Sequence, residues 1–73
     1  MPQPEDLRGL DPPEPLVRIL AAIEEAPGPL EFWLSREPYP LYPLLAAAGW
    51  RHEVRRRADA VVLTVTRRGA GGA

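Results

Sequence analysis

The chain has no cysteine, no lysine, one histidine and five aromatic residues among its 73. Without cysteine there is no disulfide, no thiolate nucleophile, no persulfide carrier and no thiolate ligand for zinc or an iron–sulfur cluster. The lone histidine, His52, has no second strong ligand at a suitable spacing, so it reads as a strand-end core or edge residue, and neither a metal nor another cofactor is expected. No window approaches the roughly 18 apolar residues of a membrane span, and no basic segment followed by an apolar run opens the chain. A soluble cytoplasmic protein without membrane contact is the expectation. So short a chain makes one domain, placed at residues 5–68, with 1–4 and 69–73 as flexible termini lacking apolar anchors.

What is present is unevenly distributed. Ten prolines stiffen the chain, and the formal charge of −1 conceals a segregation. Most acids precede residue 38, whereas six of the nine arginines lie between Arg51 and Arg68. Such a distribution shapes a surface rather than defining a polyanion-binding protein.

The pattern reads strand, helix, strand, helix, strand, strand. Asp6–Arg8 is a short strand ending at a Gly9 turn. Pro12, Pro13 and Pro15 suit the first turn of a helix, where a missing N–H costs nothing. Leu16, Leu20 and Ile23, flanked by Val17 and Ile19, make one apolar face to about Ala26, where Pro27-Gly28-Pro29 stops the helix. Residues 30–35 alternate, with Leu30, Phe32 and Leu34 on one face and Glu31, Trp33 and Ser35 on the other. A short helix accommodates Pro43 early and stops at Gly49. Trp50–Arg57 and Val61–Arg68 read as an antiparallel hairpin. A two-residue turn at Asp59-Ala60 pairs Val54 with Val65 and Arg55 with Thr64. Trp50, Val54, Leu63 and Val65 then share one face, opposite Arg51, Glu53, Arg55, Arg57, Thr64 and Thr66. The expected architecture is an α/β two-layer sandwich, β-α-β-α-β-β, with two helices on one face of a four-stranded mixed sheet and a right-handed crossover between the first two strands.

The opening Asp6-Leu7-Arg8-Gly9-Leu10-Asp11-Pro12-Pro13-Glu14-Pro15-Leu16, with the Pro-Gly-Pro break and Arg36-Glu37-Pro38, resembles a cysteine-free branch of the TusA/SirA-like fold, a bacterial domain family of unknown function. In the sulfur carriers of that fold a cysteine begins the first helix. Here that position is Pro12, which has neither thiol nor N–H, so sulfur carriage is excluded. The resemblance implies that a partner-docking surface beside the first helix persists, with a partner in sulfur, metal-centre or redox metabolism.

Candidate partner-binding residues follow: Arg8, Glu14, Arg36, Glu37 and Trp33. Arg8 and Arg36 end neighbouring strands and could converge near Glu14, as a structural ion-pair network or as an anion pocket. Glu14 also sits favourably on the helix dipole. Arg36-Glu37 occupies a loop beyond a strand C-terminus, where α/β folds commonly place ligands, although Glu37 could instead cap the second helix. Trp33 faces the open side of the sheet, where Arg55 or Arg57 could stack on it. That face could support self-association into a homodimer. The alternative function is weak single-stranded nucleic-acid binding through Trp33, Arg55 and Arg57, which Glu31 and Glu53 oppose. No nucleophile and base pair is recognisable. The reading favoured is therefore a non-enzymatic module that binds a protein partner.

Overall fold

The computed structural model describes residues 4–26 and 28–68. The expectations for residues 1–3, 27 and 69–73 lie outside the described residues. The elements are β1 (Glu5–Asp6), α1 (Glu14–Glu25), β2 (Leu30–Leu34), α2 (Leu41–Ala47), β3 (Trp50–Arg57) and β4 (Ala60–Arg67). The sheet order is β1-β2-β4-β3, with β1 parallel to β2 and β4 antiparallel to both neighbours. This is the α+β two-layer arrangement expected from the sequence.

Alternation on the strands supplies one continuous apolar face. Phe32 and Leu34 of β2, Trp50 of β3, and Val61, Leu63 and Val65 of β4 are buried against Ile19 and Ile23 of α1 and Leu41 and Leu45 of α2. On α1 the buried centre is the i, i+4 pair Ile19 and Ile23, with Leu16 and Leu20 partly buried. Val17, expected to flank that face, is instead exposed. Successive helical residues turn by about 100°, which carries position 17 away from the stripe centred on 19 and 23.

The first strand is shorter than Asp6–Arg8. Pairing covers Glu5 and Asp6, and the Leu7 N–H still donates to the Trp33 carbonyl at 2.8 Å. Arg8 leaves the strand because its own N–H and guanidinium both donate to the Asp6 carboxylate, at 2.8–3.0 Å, and Gly9 turns the chain at φ 88°.

The hairpin turn also differs. Arg57 pairs with Ala60, so the loop is Ala58-Asp59 rather than Asp59-Ala60, and Val54 faces Leu63 while Arg55 faces Val62. The slide is two residues, which matches the strand period and leaves every side chain on its expected face. From the loop, Asp59 reaches Arg8 at 3.1 Å.

Helix α2 ends on Gly49, whose φ of 86° places it in the left-handed region. The Gly49 N–H donates to the Ala46 carbonyl, and the Gly49 carbonyl accepts from the Arg68 N–H. The helix stop and the hairpin base are thereby joined.

Candidate functional site

The loops after β1 and β2 lie side by side because their strands are parallel neighbours. A hydrogen bond from the Gly9 N–H to Ser35 Oγ, 3.1 Å, fastens one loop to the other. Between them and the start of α1 opens a groove of about 560 Å³. Leu7 and Leu34 are its buried floor, Leu10, Pro12, Pro13, Pro15 and Leu16 form one wall, and Pro38 and Pro40 form the other. Asp11, Arg36 and Glu37 supply charge at its margin.

The first turn of α1 is poor in free donors. Pro12, Pro13 and Pro15 have no N–H, and the Glu14 N–H donates to the Asp11 carbonyl at 2.9 Å. No side chain caps the helix. The feature that makes many helix starts anion sites is thus largely removed, leaving an apolar, proline-stiffened wall.

The five candidate residues divide among three places. Arg36 and Glu37 border the groove. Arg36 is exposed and makes no ion pair among the described residues. Glu37 is anchored: it accepts from the Tyr42 hydroxyl at 2.8 Å and from Arg56 at 2.6 Å. This side chain braces β3 and α2 rather than capping the helix. Burial and the Glu37 carboxylate raise the Tyr42 phenol far above its ordinary range. The Tyr42 ring also stacks on His52, 3.9 Å between centroids and 4° between planes. His52 is an exposed edge residue.

Glu14 pairs with Arg18 one turn along, at 3.3 Å. Arg8 lies on the opposite face of the sheet, so the convergence of Arg8, Arg36 and Glu14 does not form. Arg8 reaches Asp6 and Asp59 and places its guanidinium 5.1 Å from the centroid of the Trp33 ring. Its Asp6 partner is held at a pKa of about 2, chiefly by the hydrogen bonds from Arg8. Arg8, not Arg55 or Arg57, is therefore the cation over Trp33. Trp33 Nε1 donates to Glu31 at 3.0 Å, and Val62, between Trp33 and Arg55 in register, is buried. The open sheet face thus has a small covered centre, with Arg55 and Arg57 exposed beside it.

Sequence reasoning missed the groove walls Leu10, Leu16, Pro38 and Pro40, because two proline clusters far apart in the chain meet only through the parallel pairing of β1 and β2. It also missed the Glu37–Tyr42–Arg56 brace, for which residue spacing offered no signal.

Among the described residues no group of three or more histidine, cysteine, aspartate or glutamate side chains could hold a metal ion, and no helix is long and apolar enough to cross a membrane. Fold and site define a class: a small two-layer α/β module with a proline-walled groove beside its first helix. Over residues 5–67 the chain matches the family described as Uncharacterized conserved protein (DUF2249), and it belongs to that family. No curated protein and no solved structure matches it.

Proposed function

We propose that the protein is a non-catalytic binding or accessory module that docks a partner protein in the groove between the start of α1 and the Arg36-Glu37 loop. The observation carrying this reading is the groove itself: an apolar cleft walled by prolines, which lose little conformational freedom when a partner settles on them. Arg36 adds an exposed cation, without an ion pair among the described residues, at its margin that can orient the partner. The resemblance to the sulfur-carrier fold supports the same surface, and a partner in sulfur, metal-centre or redox metabolism, without the carrier chemistry that Pro12 removes.

Glu37 braces the fold, so the test avoids it. A photo-crosslinking residue at position 36 should capture a partner in cells, and the same residue at Thr66, on β4, should not. Capture should vanish when Leu10 and Leu16 are both changed to Ser while far-ultraviolet circular dichroism is retained. Equal capture from position 66, or capture that survives the double change, would remove the groove from consideration.

A further inference from the structure

The arginine-rich strand β3 is an edge. In the order β1-β2-β4-β3 it pairs on one side only, with β4. The Ala58-Asp59 loop has two residues, so its closing pair Arg57 and Ala60 exchanges both backbone hydrogen bonds, and the pattern repeats every second residue. Arg51, Glu53, Arg55 and Arg57 therefore spend their backbone groups on β4, while His52, Val54 and Arg56 direct theirs outward. The same alternation, carried through β4 to β2, points the Trp33 carbonyl toward β1, and it does accept the Leu7 N–H there. No backbone bond to a loop or helix occupies the N–H or C=O groups of His52, Val54 and Arg56 among the described residues. The helical layer reaches this edge through the Tyr42 ring stacked on His52, yet it leaves His52 exposed and Val54 only half-buried, although both lie on the helix side of the sheet.

We infer that β3 accepts an added strand from an acidic, extended peptide segment of a partner. Charge selects that occupant. Arg51, Arg55, Arg56 and Arg57 against the single Glu53 give the strand a formal charge of +3, and with Arg56 offset by Glu37 a charge of +2 remains, carried by the row Arg51, Arg55 and Arg57. Such charges normally keep edges apart, and they favour an incoming strand that carries carboxylates at alternate positions, opposite Arg51, Arg55 and Arg57. A second β3 would set the same arginine-rich row against itself. The acidic edge of a second copy is β1, which has two residues, and its Asp6 is already engaged by Arg8. This surface lies at the opposite edge of the sheet from β1, and although Arg56 reaches the groove residue Glu37, the peptide test leaves the groove residues Leu10 and Leu16 untouched, so either assignment can fail alone.

The test is a peptide of alternating glutamate and valine titrated into the isotopically labelled protein, with an alternating lysine and valine peptide beside it. The acidic peptide should protect the His52, Val54 and Arg56 amides from hydrogen exchange, and the basic one should not. Val54→Pro removes an outward N–H without touching the β3–β4 ladder, as an edge tolerates, and should abolish the protection. Should that variant unfold, Arg55→Glu with Arg57→Glu supplies the second test, with binding about tenfold weaker or worse from reversing two flanking charges. Protection by both peptides alike, or by neither, overturns the inference. So does protection of the same amides on raising protein concentration alone, which assigns the edge to a second copy. Shifts produced by a single-stranded oligonucleotide and not by the acidic peptide would also overturn it.

Discussion

Gly28 shows how much one residue can govern. A β-carbon there would lie 2.8 Å from the six-membered ring of Trp50, and φ is 78°. Space and backbone therefore both demand glycine, while the Arg67 guanidinium lies over the Trp50 ring at 5.5 Å. Gly28→Ala is expected to destabilise the fold by about 1–3 kcal/mol in urea unfolding, through left-handed strain and displacement of the indole. Asp6 and Tyr42 make opposite pH statements. The Asp6 carboxyl falls from 3.8 to about 2 in the folded chain. Its contribution is therefore complete above pH 3.8 and disappears as pH falls toward 2. Across that window Asp6→Asn should lose less stability than the unsubstituted protein. Tyr42 is raised from 10.0, so its contribution is complete below that pH and declines as pH rises above it, where only the unfolded chain ionises. Tyr42→Phe should remove that part of the alkaline loss in thermal melts followed across the same pH range.

Among the elements, α2 depends on neighbours more than on itself. Seven residues with a proline at the third position make a poor isolated helix. Its place is fixed by Leu41 and Leu45, both fully buried, and by the Tyr42 hydroxyl on Glu37. Leu45→Ala should cost about 2–5 kcal/mol in chemical denaturation, as cavity formation in a close-packed core does. Val17→Ala, on the exposed face of α1, should shift stability by no more than about 0.5 kcal/mol. The sequence made most of this architecture legible, because strand alternation and proline placement are local signals. Phe32, Leu34, Trp50, Leu63 and Val65 could be assigned to the core by parity alone, and a two-residue slip of the hairpin left those assignments intact. The slip itself was not legible, since turns at Asp59-Ala60 and Ala58-Asp59 give the same parity, and the contact that Asp59 makes from the observed turn is with Arg8, 51 residues away in sequence. Arg36 and Glu37 could be associated with the first-helix surface. The division of roles between them could not, because Glu37 is defined by Tyr42 and Arg56 on two other elements.

The whole molecule is organised around one apolar layer between helices and sheet, and no buried charged residue occurs among the described residues. So small a core leaves no second unit to unfold separately. Tryptophan fluorescence and far-ultraviolet circular dichroism should report coincident urea transitions. Separated midpoints would show that α1 or the β3–β4 hairpin opens alone.

The sheet order also has a consequence for biosynthesis. Among the described residues, strand β4 is the last element in chain order, yet it lies between β2 and β3 and hydrogen-bonds both. As the chain leaves the ribosome, β1, α1 and β2 emerge with half of their sheet missing, and β3 follows without a partner on either side. The apolar layer can close only when Val61, Leu63 and Val65 arrive. Completion of the sheet thus waits on a single late insertion, and a ribosome stalled before Ala60 holds a chain in which β2 and β3 have nothing to join them.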